Sequence, residues 1–239
     1  MSLSRVVSKI FQPMPTSINA LVNDAFDQAI RQDQKLYESW IDISTQLGGR
    51  ALPFSLLGPS VHDIGTLDLV LRCMESETKA VFNLDSASRN EYEDQFHLAH
   101  WCQDMFSKIW ISEIYEVFRL LKTRKLIQGN SAFYELENHL RLLRIPFDKH
   151  EIAKEDRLKD KPLLKKDLEF KHGTSPLNRY SEYDSKDRRR VYSLESRNSP
   201  RGSIEWRTLD LETGNPVWLE RLSLSDRVLE IFQNNQFFK

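Results

Sequence analysis

Hydrophobic side chains recur at helical spacing along more than half of the chain. The first amphipathic segment begins at Thr16 or Ser17, since both residue types are good N-caps, and continues to the glycine pair at 48–49. A helix of this length exceeds the average for globular proteins. We therefore expect the segment to break between Gln32 and Gln34.

Three further helices are predicted beyond the glycine pair. Residues 48–62 are rich in glycine and proline, which favours a loop. The apolar positions of Leu67–Val81 and of Ser131–Leu143 each predict one helix. The strongest pattern is a continuous apolar stripe over Ser86–Lys125, with no proline or glycine inside it.

The hydrophobic pattern of the chain changes after the last of these helices. Residues 154–202 are polar, whereas Ser203–Asp210 alternates between apolar and polar positions as a half-buried strand does. A hairpin around Thr213–Pro216 would pair that strand with the next one. We expect a third strand at Val191–Leu194, and a closing helix capped by Ser223 or Ser225.

These patterns together predict a mainly α protein. We expect a multi-helix, bundle-like body at 1–153, a polar basic connection at 154–202, and a small antiparallel β-hairpin with a closing helix at 203–239. So few strands bury little apolar surface alone, so the last unit is expected to dock on the helical body.

Composition places the chain among ordinary globular proteins of a reducing compartment. Hydrophobic residues make up 40% and charged residues 29% of the chain, which is typical of that class. The two cysteines, Cys73 and Cys102, lack the spacing of a disulfide framework or a metal site. No apolar run reaches the ~18 residues that span a bilayer. We therefore expect a cytoplasmic protein without a membrane partner.

Charge is distributed unevenly, although the net charge is only −1. Residues 157–201 hold 13 Lys and Arg against 7 Asp and Glu, a net charge of +6. Arginines interleaved with aromatic residues can grip a nucleic-acid backbone. The alternative is intramolecular, with this stretch lying across the acidic helical body. The nucleic-acid candidates are Lys165, Lys166, Arg188, Arg189, Arg190, Arg197 and Arg201.

One face of the predicted 86–125 helix carries ligand-type side chains. Glu93, His97, His100 and Asp104 are spaced by four, three and four residues. Such a face can bind a divalent metal when a second helix completes the set. The second helix does not offer that set, so we expect no metal, and the alternative is a polar face in contact with water.

The segment Arg144-Ile-Pro-Phe-Asp-Lys-His150 resembles the Arg-x(4–6)-His motif of the HEPN superfamily (higher eukaryotes and prokaryotes nucleotide-binding). Its members are small helical domains, many of them metal-independent ribonucleases that dimerise. The resemblance implies that Arg144 steadies the scissile phosphate and that His150 acts as acid or base on the ribose 2′-hydroxyl. Two departures are Ile145, where the family usually has a polar residue, and Pro146.

Pro146 supports a different interpretation of the same segment. A proline at a first helical position would begin a new helix, with Asp148 near its N-terminus. Arg144 would then complement the end of the preceding helix, and His150 would be a surface residue.

Two functions of different classes follow from the sequence. No P-loop, dinucleotide-binding glycine pattern, nucleophile elbow or zinc-finger spacing occurs in the chain. We therefore expect no cofactor and a non-catalytic interaction or scaffold protein, whose partner is another protein or a second copy. The alternative is a HEPN-like RNA-binding protein or ribonuclease.

Overall fold

The computed structural model describes residues 17–50, 56–84, 93–127, 129–158, 162–165, 180–211 and 214–234. It confirms the mainly α class, and no helix within those ranges is long and apolar enough to cross a membrane. The helices are α1 (Ile18–Gln32), α2 (Gln34–Thr45), α3 (Leu57–Phe82), α4 (Glu93–Thr123), α5 (Ser131–Lys149) and α6 (Arg221–Asn234). The strands are β1 (Leu163–Lys165), β2 (Tyr180–Glu182), β3 (Glu195–Asn198), β4 (Ile204–Asp210) and β5 (Asn215–Glu220).

The first amphipathic segment is two helices, as its length predicts. The Ser17 hydroxyl accepts the backbone N–H of Ala20 and caps α1. Asp33 ends α1, and its carboxylate accepts the N–H of Leu36 at the start of α2. A π-helical turn, Gln46–Arg50, follows α2 directly.

The predicted loop at 48–62 is wrong for its second half, because α3 already begins at Leu57. Gly48 and Gly58 bring two backbones together: a Cβ on Gly58 would lie 2.6 Å from the Cα of Gly48. The glycines therefore serve a close helix contact as well as a turn. Pro59 lies in the first turn of α3, where its missing N–H has no helical partner to lose.

Helix α5 extends past its predicted end at Leu143 to Lys149, with Pro146 inside it. The prediction that Pro146 interrupts the helix is wrong. A proline within a helix leaves the carbonyl four residues earlier without a donor. That carbonyl belongs to Leu142, and it accepts the hydroxyl of Thr208 from β4 at 3.1 Å. A tertiary contact thus supplies the hydrogen bond that the proline removes.

The C-terminal unit is a three-stranded antiparallel sheet in the order β3–β4–β5. The hairpin pairs Asp210 with Asn215 and Glu205 with Glu220. The third strand lies at Glu195–Asn198, later than predicted, and its Asn198 pairs with Ile204. Strand β5 passes directly into α6 at Arg221, so neither predicted serine caps that helix.

One hydrophobic core is shared by the helical body and the C-terminal unit. Buried side chains of α4 and α5, such as Phe118 and Phe133, pack with Phe232 of α6. Trp206 of β4 meets Phe147 edge to face. The connection between the two regions also buries aromatic side chains, since Tyr183 and Tyr192 pack with Ile152. Strands β1 and β2 pair within that connection.

A charged cluster lies inside the protein between α3 and α6, formed by Asp68, Glu75 and Arg221. All three side chains are buried, and the Arg221 guanidinium pairs with both carboxylates. Its Nε lies 2.8 Å from Glu75 Oε1. We call this the buried ionic cluster. It is completed by hydrogen bonds from Trp40, Arg72, Ser203 and Ser225.

The partners of Asp68 and Arg221 within the buried ionic cluster favour the charged form of each side chain. Burial alone raises the pKa of Asp68, but Arg221 and Arg72 outweigh burial and hold that pKa below its ordinary value. Burial likewise opposes the charged form of Arg221, but the attraction of Glu75 and Asp68 outweighs burial and raises the pKa of Arg221 above its ordinary value. Asp68 and Arg221 are therefore both charged at neutral pH.

The backbone beside the cluster requires glycine at position 202. Gly202 has φ +79°, and a Cβ there would lie 2.1 Å from the carbonyl oxygen of Glu75. Its own carbonyl accepts the side-chain amide of Gln103 at 2.8 Å. The backbone of the turn before β4 thus packs directly against α3 and is hydrogen-bonded to α4.

Replacing Thr208 by valine tests whether its hydroxyl maintains α5 through Pro146. Valine keeps the shape of the side chain but leaves the Leu142 carbonyl without its donor. We expect the free energy of unfolding, measured by urea denaturation, to fall by about 1–3 kcal/mol.

Thr66→Val is the matched control. The Thr66 hydroxyl donates to the carbonyl of His62 within the regular part of α3, where the helix already supplies a donor. This variant is expected within about 0.5 kcal/mol of the parent. Equal effects of the two substitutions would contradict the role of Thr208.

Candidate functional site

Arg144 lies on α5 in contact with carboxylates and with an aromatic ring. Its Nε is 2.7 Å from Asp148, and its Nη2 is 3.6 Å from Glu116 of α4. The guanidinium also lies over the ring of Tyr115 at 5.6 Å. These contacts hold Arg144 against α4. The two carboxylates already neutralise the guanidinium charge that would bind a phosphate.

His150 is the exposed residue that ends α5 in a left-handed conformation, with φ 55°. Its backbone N–H donates to Pro146, and its carbonyl accepts the N–H of Tyr192 at 2.7 Å. Among the described residues, no hydrogen bond or ion pair joins His150 to Arg144. The HEPN-like ribonuclease therefore stays a prediction of the Arg144–His150 spacing.

The basic segment makes several ion pairs within the chain. Arg190 pairs with Glu151 and Glu155, which follow α5. Arg188 is exposed, and Arg189, 90% exposed, lies near Asp187. Lys165 is in β1, but its side chain, like the whole of Lys166, falls outside the described residues.

The last two nucleic-acid candidates, Arg197 and Arg201, also make ion pairs within the chain. Arg197 pairs with Glu205 and stacks on Trp218 at 3.9 Å. Arg201 pairs with Glu220 and with Asp226. These contacts lie within the C-terminal unit, so intramolecular pairing accounts for part of the basic charge.

The candidate metal face on α4 holds no complete ligand set in the described part of the chain. Asp104 pairs with Lys108 at 2.5 Å. His97 is exposed and His100 is half-buried, while the Glu93 side chain is outside the described residues. Within the described ranges, no group of three or more His, Cys, Asp or Glu side chains is arranged to hold a metal.

A groove of about 630 Å³ lies beside the polar face of α5, away from Arg144 and His150. Its volume is within the range of small-molecule sites. The sequence interpretation missed it, although Tyr134, Asn138 and Arg141 recur at positions i, i+4 and i+7 of one helix face. Its wall is completed by Lys122, Glu135, Glu137, His139, Lys154, Arg157 and Asp210.

His139 links the groove to α6. Its Nδ1 lies 2.9 Å from Arg227, which can only donate, so Nδ1 accepts and the ring proton is on Nε2. Burial and then the charge of Arg227 lower the pKa of His139, against the opposing effect of Glu135. The imidazole is therefore neutral at pH 7.

Apolar side chains are exposed at the start of α1. Ile18 is 78% exposed, and Leu21, Val22 and Ala25 are exposed with it. These four residues, called the α1 stripe, lie on one helix face. They are the strongest feature for protein contact in the described chain.

The start of α4 exposes further apolar surface at the same end of the helical body. Trp40 of α2 donates to Asp68 of α3, and Gln32, at the end of α1, accepts from Cys73, which lies later in α3. The start of α1 therefore lies near the end of α3. Gln103 of α4 pairs with Thr78 near that end as well. Leu98 and Trp101 of α4 are 64% and 60% exposed.

Comparison of the chain with protein-family models, with curated proteins and with solved structures finds no match. The functional argument therefore depends on the surfaces described above.

Lowering the pH below the ordinary histidine pKa of about 6.5 tests the environment of His139. Its pKa is lower in the folded protein than in the unfolded chain, so the unfolded state binds more protons in mild acid. The free energy of unfolding should then fall as the pH decreases below that value. We expect His139→Gln, measured by urea unfolding at several pH values, to lose this part of the dependence.

His150→Asn is the control, since asparagine tolerates the left-handed backbone of this helix end. It should retain the pH dependence of the parent. An unchanged slope in His139→Gln would contradict the neutral, donor-facing imidazole.

Proposed function

We propose that this chain is a non-catalytic interaction protein that self-associates through the α1 stripe. The observation that carries the proposal is the exposure of Ile18, Leu21, Val22 and Ala25 on one face of an amphipathic helix. A helix of a monomeric domain normally turns such a face towards the core. Only the later part of α1, around Ala29, is buried.

The exposed stripe favours burial against another surface. Each fully buried aliphatic side chain contributes about 1.5–3 kcal/mol relative to an exposed one. The neighbouring exposure of Leu98 and Trp101 adds an aromatic anchor of the kind that is enriched at interfaces.

A second copy of the chain is the occupant that the charges favour. The α1 stripe is itself uncharged, and the first turn of α1 holds no acidic residue. The net charge of the chain is −1, so two copies repel each other weakly. Apolar residues at three- and four-residue spacing can pair with the same stripe across a two-fold axis.

Leu21→Glu tests this proposal directly. A two-fold interface receives the new charge twice, so we expect the dissociation constant of the dimer to rise by at least about ten-fold. Sedimentation velocity over a concentration series would show a dimer for the parent and a monomer for the variant. Thermal unfolding should change little once both proteins are monomeric, because Leu21 is exposed.

Asn23→Glu is the matched control. It adds the same charge to an exposed position of α1 that lies outside the stripe, and it should leave the dimer intact. A parent protein that remains monomeric throughout the series would contradict self-association. Equal loss of the dimer in both variants would show that charge, and not the stripe, determines association.

A further inference from the structure

The groove beside α5 contains a guanidinium that pairs with no carboxylate of the described residues. Arg141 is half-buried, and its Nη2 donates to the side-chain oxygen of Asn138, a neutral amide. Its Nε is buried and meets no acceptor among the described residues. A charge that is partly removed from water without a counter-ion costs free energy. An anion in the groove would supply a counter-charge for this guanidinium, which lines the groove.

A second arginine reaches the same groove from a different element. Arg157 belongs to the 3-10 turn Glu155–Arg157 and is exposed. It makes no ion pair with any residue that the structure describes. Arg141 and Arg157 thus come from two separate elements and line one concave surface.

Two of the acidic residues of the groove already have cationic partners. Glu137 pairs with Lys122 at 2.9 Å, and Glu135 pairs with Arg227 of α6 at 2.9 Å. Asp210 is the third acid of the lining. The lining holds four cationic side chains, those of Arg141, Arg157 and two lysines, against these three acidic ones.

We infer that this groove binds a small molecule that carries several phosphate groups. Guanidinium groups match phosphate oxygens with paired, charge-assisted hydrogen bonds. Two arginines on separate elements fit an anion whose charge is spread over several groups better than a single carboxylate. The volume of the groove also exceeds the needs of one phosphate ion.

Calorimetric titration of the full chain with sodium tripolyphosphate, ATP, adenosine and citrate tests this inference. Tripolyphosphate and ATP should bind, because both present the phosphate chain. Adenosine lacks phosphate and should not bind, and citrate should bind at least about ten-fold more weakly because carboxylates are its only anionic groups.

Arg157→Gln and Arg141→Gln should each weaken the binding of tripolyphosphate by about ten-fold, the usual effect of losing a charged hydrogen-bonding group. Arg157 is exposed, so its variant should fold as the parent does even if Arg141→Gln does not. Arg189→Gln removes an equally exposed arginine that does not line the groove, and it should leave affinity unchanged.

Three results obtained with tripolyphosphate would overturn the inference. They are the absence of tripolyphosphate binding, binding of citrate as tight as that of tripolyphosphate, and an equal loss of affinity in Arg189→Gln and Arg157→Gln. Binding of ATP that adenosine reproduces would also overturn it, because recognition would then depend on the nucleoside. Self-association is tested by sedimentation and ligand binding by calorimetry, so the failure of one proposal can be told apart from the failure of the other.

Discussion

The pairing of Arg221 with Asp68 and Glu75 is the interaction on which the arrangement of the molecule depends. Three charges are removed from water inside the shared core, which is costly unless every one of them is paired and hydrogen-bonded. Serine, tryptophan and arginine side chains supply the remaining hydrogen bonds. Geometry this restrictive fixes the position of α6 and of the turn before β4 against α3.

The proposed ligand groove follows from that fixed position. Arg221 and Ser225 hold one side of α6 against α3. Arg227 then points from another side of α6 towards α5, where it contacts His139 and Glu135. The buried ionic cluster therefore positions the helix that contacts two residues of the groove wall, although the wall shares no residue with the cluster. The α1 stripe lies outside this arrangement, which leaves it available for contact with another chain.

Local pattern predicted the helices, and tertiary contacts decided the points where it failed. Periodicity located the cores of the first amphipathic segment and of the three helices predicted after it, because an apolar face must be buried whatever covers it. Pro146 continues a helix only because Thr208 reaches Leu142 from a distant strand. Gly58 lies inside α3, where its missing side chain leaves room for the backbone of Gly48. Neither contact could be inferred from the residues that neighbour Pro146 or Gly58 in the sequence.

The charged residues were harder to interpret than the apolar ones. Asp68 and Glu75 are seven residues apart, so they share a face of α3, and that spacing among apolar positions was the available signal. Their partner Arg221 is too distant in sequence to be recognised. The arginines of the basic segment favoured a nucleic-acid surface, because the sequence shows their charge but not the carboxylates that pair with Arg190 and Arg201.

Urea unfolding of Arg221→Met, beside the exposed Arg189→Met, measures the central interaction most directly. We expect a loss of about 3–5 kcal/mol for Arg221→Met and a change within about 0.5 kcal/mol for Arg189→Met; equal stability of the two variants would contradict the role of the buried ionic cluster.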